Sequence, residues 1–437
     1  MRPKSDIPLH HSSRKSDSRS HSSSHCSRAS PLSALIGRRR VSFASCLILL
    51  ALLVVVAAPV VEALSSSTAS VITGASGYVG RAVAHALIQR NILPERNDND
   101  TTTILCLVRP SRVQEEQEYW KKQEEANNKC TTNTVVLVRP YDMLDGGTSL
   151  QEVLLGEPCV ASADGVCVHH VASWFSPTDE HVPAAQGNVK GTEDLVRVLA
   201  EFKNSRMSKS NNRIKLIVTS SMAAVRATGQ EPQNQQFYTH EDWNTLSKLG
   251  DNNWGASYQW SKAESERRAK QLCQEFQIPM VALCPSFVFG PLADTATSSS
   301  SFSTQLVAQW IQGSSQVQSR LFVDVRDIAQ AHVQAEQEDI EGRYIVSTER
   351  RLSSAVVARI LEDESRALQY TPPSPISYDA AFDGGAIPIG DKEVEAEQRL
   401  VEELGIQELQ PAEDTIRDMS RVLIGMFLQK KKEDSKR

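Results

Sequence analysis

Ser221, Tyr258 and Lys262 have the types and the chain order that proton transfer to a carbonyl oxygen requires. Tyr258-Gln-Trp-Ser-Lys262 lies in a stretch of helical pattern, so its end residues share one face, a turn apart. A phenol, with a reference pKa of about 10, is a weak acid–base group at neutral pH. An ammonium beside it favours the phenolate and lowers that value. The expectation is that Tyr258 protonates a carbonyl oxygen as hydride reaches the carbon, while Lys262 tunes the phenol and holds ribose hydroxyls. Ser221 follows the apolar run Ile214–Thr219, where a sheet's carboxyl edge would bind a ligand, and is placed to orient the oxygen. Taken singly, each signal is weak, because Y-x-x-x-K arises by chance and strand-end serines are mostly turn residues. Together, in order and on consecutive α/β units, they point to a site.

These residues need something to deliver hydride, and the sequence offers a candidate upstream. The β-branched run Val71-Ile-Thr73 ends in Thr73-Gly74-Ala75-Ser76-Gly77-Tyr78-Val79-Gly80, and Arg81–Arg90 then reads as a helix. Glycines let the chain turn tightly from strand to helix and bring backbone N–H groups up to a pyrophosphate at the helix N-terminus. A bare glycine triplet would suit any tight turn, but the strand-to-helix setting makes it a dinucleotide loop. The next strand, Thr103–Val108, runs into Arg109-Pro-Ser-Arg112 with no Asp or Glu to accept from a ribose 2′-OH. A guanidinium there suits a 2′-phosphate, so NADP(H) is expected over NAD(H), unless Arg109 is only a solvated loop cation. Asp142, after the third strand, is placed either to meet the adenine edge or to cap a helix.

The elements that would position this chemistry alternate along the chain. Strands are expected at Thr103–Val108, Thr134–Val138, Val166–Val171, Ile214–Thr219 and Met280–Cys284. Helices are expected at Val113–Glu125, Thr192–Phe202 and Ser257–Phe276. Continuous apolar strands between helices imply a parallel sheet covered on both faces, a doubly wound α/β fold. The apolar stripe Ile416, Met419, Val422, Leu423, Met426 and Phe427 predicts a helix docked on the core rather than a membrane anchor. Lys430–Lys432 reads as its solvated end.

Residues 1–45 do not read as a fold. They carry nine Lys/Arg against two Asp and are rich in Ser and His. This basic extension has no interleaved aromatics, and the chain beyond Glu62 carries a net −12, which argues against a nucleic-acid-binding body. Residues 46–64 bring an apolar run, Cys46–Val61, behind Arg38–Arg40. They read as a cleavable secretory or organelle signal, or as an uncleaved anchor tethering the body to a membrane. The expected location is therefore the secretory pathway or an organelle, endoplasmic reticulum or plastid. Asn99-Asp-Thr101 would be a glycosylation sequon there. The eight cysteines show no metal-ligand spacing and imply no disulfide framework, and no metal is expected.

Over residues 69–428 the chain resembles the extended branch of the short-chain dehydrogenase/reductase superfamily, nearest the dihydroflavonol and cinnamoyl-CoA reductases. The resemblance rests on Thr73–Gly80, His170-Val-Ala-Ser173, Asn188-Val-Lys-Gly-Thr192, Thr219-Ser-Ser221, Glu241-Asp-Trp-Asn244 and Tyr258–Lys262. It continues through Cys284–Pro291, Phe322–His332, Gly342-Arg-Tyr344 and Leu404-Gly405. It implies a Rossmann-type fold with a small C-terminal substrate-binding lobe drawn from residues 290–316 and 349–428, followed by a charged tail, 429–437. It also implies catalysis by Ser221, Tyr258 and Lys262, a phosphate loop including Thr73, Gly74, Ser76, Gly77, Tyr78 and Gly80, and a 2′-phosphate contact at Arg109. By the same resemblance Asp142 and Met143 meet adenine, Ala172 and Pro285 line the cofactor cleft, and the substrate is a small carbonyl compound. A 3β-hydroxysteroid dehydrogenase, a sugar-nucleotide epimerase and a non-catalytic NADP sensor are the rival readings. The substrate and the oligomeric state are not legible. The polar stretch Asn91–Thr102 and the N-terminal extension depart from the family pattern.

Overall fold

A computed structural model of the chain describes residues 67–90, 102–126, 134–175, 180–208, 212–251, 253–293, 301–383 and 387–435. The basic extension, the apolar run 46–61 and the sequon at Asn99 lie outside the described residues. The described residues form one compact unit.

Seven parallel strands make the central sheet: β1 (Thr68–Thr73), β2 (Thr102–Val108), β3 (Thr134–Pro140), β4 (Gly165–His170), β5 (Arg213–Thr219), β6 (Met280–Pro285) and β9 (Gly342–Val346). Their order is β3-β2-β1-β4-β5-β6-β9, so the winding reverses between β1 and β4. A crevice opens at the carboxyl ends of strands at such a reversal, and ligands bind there. Val71 pairs with Leu105 on one side and Val168 on the other, and this register puts alternate residues on opposite faces.

One face is covered by α1 (Tyr78–Arg90), α2 (Val113–Ala126) and α9 (Val325–Gln334), where Ile72, Ile104 and Cys106 meet Val83, Leu87, Trp120 and Val333. The other is covered by α3 (Thr148–Gly156), α5 (His181–Ser205) and α7 (Trp254–Phe276). There Val71, Leu105 and Leu216 meet Leu150, Leu195, Leu199 and Leu272. Burial on both faces explains why each strand reads as an unbroken apolar run. A short helix α4 (Pro158–Ala161) precedes β4, and α6 (Met222–Val225) follows β5.

A separate core forms the lobe. The two-stranded parallel pair β7 (Phe287–Phe289) and β8 (Phe322–Asp324) is joined by α8 (Phe302–Gln312), α10 (Ser354–Ala367) and α12 (Ala412–Asp434). Phe289, Trp310, Leu361, Ile416, Met419 and Leu423 pack together there. The C-terminal helix therefore docks its apolar stripe on the lobe, and Lys430–Lys432 stand exposed at its end. A last short helix, α11 (Glu397–Glu402), leans on β9 through Leu400. Among the described residues no helix is long and apolar enough to cross a membrane.

Two elements differ from expectation. The helix expected at Thr192 starts eleven residues earlier, at His181, because Ala184, Ala185 and Gly191 pack by being small rather than by apolar period. The seventh strand, β9, was not expected; its Gly342-Arg-Tyr start is too short and polar to carry a strand pattern.

Candidate active site

Helix α7 is positioned at its start. The Asn253 side chain accepts from Gly255 N at 2.8 Å, and the buried Ser257 Oγ meets His181 Nδ1 at 2.9 Å and Gly250 N at 3.2 Å. This fixes Tyr258 and Lys262 against the carboxyl end of β5. Ser221 caps the four-residue helix α6, accepting from Ala223 N at 3.1 Å, and its hydroxyl lies near enough to the Tyr258 phenol to favour the phenolate. Lys262 Nζ donates to Thr219 O at 3.2 Å. The three residues expected to do the chemistry are thus brought together at one sheet edge.

Their electrostatics correct one expectation. Burial raises the Tyr258 pKa above the ordinary phenol value, and only the Ser221 hydroxyl opposes it. Lys262 does not act as its depressor here, because its ammonium is turned to the Thr219 carbonyl. Burial lowers Lys262 itself to about 8, with Cys284 and Glu266 partly opposing. Tyr258 is accordingly a loaded proton donor across the neutral range.

The glycine loop sits next to this trio. Gly74 has φ +70°, and a Cβ there would lie 2.9 Å from Ala172 N and Cα; at Gly80 one would lie 2.3 Å from Gly74 O. Both positions exclude side chains so that the loop can close on itself and on the end of β4. Gly77 N donates to Gly74 O at 2.9 Å, and Ala75 N to Leu107 O at 3.2 Å, leaving Ser76 and Gly77 on the accessible side. Ala172, which Gly74 approaches, follows β4, and Pro285 is buried at the end of β6.

Three residues expected to touch the cofactor do other work. Thr73 is fully buried, and its hydroxyl meets His170 Nδ1 at 3.0 Å and accepts from Val171 N and Ala172 N at 3.2 Å. It staples β1 to β4 instead of facing a ligand. Burial, then the nearby Lys262 charge, pushes His170 down to about 3, so the ring is neutral and joins Thr73 to Thr192, whose Oγ1 lies 3.1 Å from its Nε2. Tyr78 donates its hydroxyl to Gly290 O at 2.9 Å, tying the helix start to the lobe; only its backbone remains for a phosphate. Met143 packs back on α5, in space that a Cβ on Gly191 would fill at 2.3 Å.

Arg109 and Asp142, expected at the 2′-phosphate and the adenine, lie close together in the chain's fold. Arg109 is exposed just past β2, and its guanidinium makes no ion pair among the described residues. Tyr141 N donates to Val108 O at 2.8 Å, which holds the Asp142 segment beside Arg109. The helix-capping role falls to Asp145, which accepts from Gly147 N at 3.0 Å and Ser149 N at 2.9 Å. Asp142 accepts only from Leu144 N, at 2.9 Å, and its carboxylate stays exposed.

Several supporting residues were not read from the sequence. Glu266, one turn beyond Lys262, is buried and accepts from the Ser220 hydroxyl and, at 2.6 Å, from Arg343 Nε. Its spacing, Tyr258-x₃-Lys262-x₃-Glu266, was the available signal. Arg343 lies 4.0 Å over the Trp243 ring, and Asn244 donates to Ala223 O at 2.8 Å, so the Glu241–Asn244 segment braces the Ser221 turn. Behind the sheet, His332 Nε2 meets Thr219 Oγ1 at 2.9 Å, and the His332 and His169 Nδ1 atoms lie 3.0 Å apart. His169 Nε2 in turn reaches Glu336 at 2.8 Å. Burial alone would raise Glu336, but Arg90 and His169 outweigh it and hold the carboxyl at about 2. Asn188 grips the backbone of Trp174, accepting from its N at 2.6 Å and donating to its O at 2.8 Å.

An aromatic wall flanks Tyr258. Phe175 lies edge-on to it at 4.9 Å and contacts Trp254 and Phe302, each at 5.2 Å. A groove of about 780 Å³ lies elsewhere, between α1, α9 and the 405–410 turn, and holds none of Ser221, Tyr258 and Lys262. Its lining includes His85, whose Nε2 meets Tyr119 OH at 2.6 Å, and the carboxylates Asp327 and Glu408, but it lies away from the sheet edge that carries Ser221, Tyr258 and Lys262. The trio, not the groove, marks the site.

Comparison with known proteins agrees with this geometry. An NAD-binding family model, described as male sterility protein, matches residues 72–325, more than half of the chain. An uncharacterized oxidoreductase of Schizosaccharomyces pombe is 30% identical over 177 residues, 38% of this chain and 50% of that one. A cinnamoyl-CoA reductase of Medicago truncatula is 26% identical over 308 residues, 68% of this chain and 81% of that one. Among solved structures, the yeast methylglyoxal/isovaleraldehyde reductase in complex with NADPH aligns over 83% of this chain and 99% of its own, with TM-score 0.64 and 18% identity. The doubly wound sheet, the glycine loop at its reversal and the matched span together place the chain in the extended short-chain dehydrogenase/reductase family.

Proposed function

We propose that this protein is an NADPH-dependent reductase of ketone or aldehyde carbonyls. The observation that carries the reading is the buried Tyr258 phenol beside Ser221 and one helical turn from Lys262, whose Nζ donates to Thr219 O at the carboxyl edge of β5. The loop suits a dinucleotide: its Cβ-free positions close it at the N-terminus of α1, with Ser76 and Gly77 accessible. Gly74–Gly80 would hold the pyrophosphate, Arg109 the 2′-phosphate, Asp142 the adenine and Lys262 the nicotinamide ribose. The bound nucleotide supplies hydride to the carbonyl carbon. Ser221 orients the carbonyl oxygen, Tyr258 gives its hydroxyl proton to that oxygen, and the aromatic wall keeps water from the reacting face. Oxidation of NADPH with a panel of aldehydes, ketones and acyl-CoA thioesters tests the reading. Binding of NADPH without turnover on any of them would make the protein a cofactor sensor instead.

Arg109 bears on cofactor choice. Arg109→Ala is expected to weaken NADPH about ten- to a hundredfold, the loss of one charged hydrogen bond at about 1.5–3 kcal/mol, and to leave NADH nearly unchanged. Titration of both cofactors by fluorescence checks it; equal losses would make Arg109 a support of the fold.

We further propose that the apolar run Cys46–Val61, behind Arg38–Arg40, directs the chain to the endomembrane system or a plastid, where it is cleaved or stays as a tether. A fluorescent protein fused after residue 70 is expected to follow one of those compartments. Diffuse cytosolic signal from the full-length fusion would remove the targeting claim.

A further inference from the structure

The wall beside Tyr258 does not end at its aromatic rings. Phe302, 5.2 Å from Phe175, lies 6.3 Å from Phe287, and the Arg320 guanidinium stands 5.2 Å over the Phe287 ring. An apolar strip thus runs from the proton donor to a cation. Arg320 enters β8 beside β7, where Phe287 N donates to Leu321 O at 3.2 Å. Arg320 is exposed as a residue, yet burial by the surrounding protein lowers its pKa, and the like charges of Arg226 and Arg351 lower it further.

Arg226 ends the short helix that Ser221 caps. The local carboxylate is already used: Glu393 pairs with Arg226 at 3.0 Å and with Arg351 at 2.5 Å. Arg320 reaches only the neutral Gln318, and no carboxylate pairs with it among the described residues. Arg320 thus leaves a positive charge without a paired carboxylate, among the described residues, at the end of the apolar strip. A planar guanidinium fork is matched to carboxylate or phosphate oxygens.

We propose that the substrate is a carbonyl compound with an apolar or aromatic body and an anionic group, carboxylate or phosphate, at its far end, and that Arg320 receives that group. This deepens the reductase reading and rests on it for the carbonyl end.

The full chain is assayed with NADPH on 8-oxooctanoate, 8-oxooctyl phosphate and methyl 8-oxooctanoate, which differ only at the remote end. One or both anions are expected to show a KM about tenfold or more below that of the ester, and the larger ratio identifies the anion. Arg320→Gln should bring the KM values together, and Arg320→Lys should keep part of the difference. Equal KM values in the parent chain, or an Arg320→Gln loss shared equally by ester and anions, would overturn the proposal and leave Arg320 a packing residue over Phe287. Calorimetry with octanoate against octanamide, on the NADP-loaded protein, reads the same site without turnover. Preference for octanoate with no reduction of any aldehyde would keep the anion site and discard the reductase reading; no preference would discard the anion site whatever the turnover.

Discussion

Tyr258→Phe is expected to bind NADPH as the parent chain does and to lose about 10²–10⁴-fold in kcat, the usual contribution of a positioned proton donor. The substitution removes one oxygen and keeps the ring that Phe175 packs against at 4.9 Å, so the wall and helix α7 remain in place. Ser221 retains its cap on Ala223 N. The loss should therefore fall on kcat, with KM changing little. The pH profile carries a second check. Burial raises Tyr258 above the ordinary phenol value, so the donor stays protonated well into the alkaline range. Lys262, lowered to about 8 by burial, loses its charge first. Activity is accordingly expected to hold below pH of about 8 and to fall as pH rises through that value, the limb belonging to the lysine. An unchanged kcat in Tyr258→Phe would take Tyr258 out of the mechanism, and a flat alkaline profile would take the ammonium out of it.

What the sequence made legible follows the range of the forces involved. Strands such as Thr102–Val108 were legible because burial on both faces demands an unbroken apolar run. The Tyr258/Lys262 pair was legible because helical spacing alone puts both on one face. The glycine loop was legible in kind, while the task of Thr73 within it was not. Its hydroxyl is spent on His170 and the end of β4, 97 residues away, and no local pattern records that partner. The His169–His332 contact joins residues 163 apart for the same reason. Polar groups inside a core must find partners, and the partners are chosen by the packing of distant elements. The start of α5 escaped because Ala184, Ala185 and Gly191 pack by small size, which leaves no periodic signature.

Glu266 is where that unread polar packing bears hardest on stability. Glu266→Ala is expected to destabilise the fold by about 3–5 kcal/mol, the cost of stranding one partner of a buried ion pair. The partner is Arg343, whose Nε donates to Glu266 at 2.6 Å inside a site where both side chains are under 10% exposed. The guanidinium cannot swing to water without leaving the Trp243 ring, 4.0 Å away, and the His240 carbonyl it bonds at 2.8 Å. The same carboxylate holds the Ser220 hydroxyl, so its loss also frees the turn that carries Ser221. Denaturant unfolding of parent and variant measures the first effect. Adding Arg343→Met to Glu266→Ala separates the two: removing the stranded cation should return part of the stability, because replacing both partners with apolar groups is often near neutral. Turnover should stay low in that double variant if Glu266 positions Ser220 and Ser221, and should recover with stability if the carboxylate serves the fold alone. A single variant as stable as the parent would mean that Arg343 finds another anion and that Glu266 is not the pivot between α7, β5 and β9.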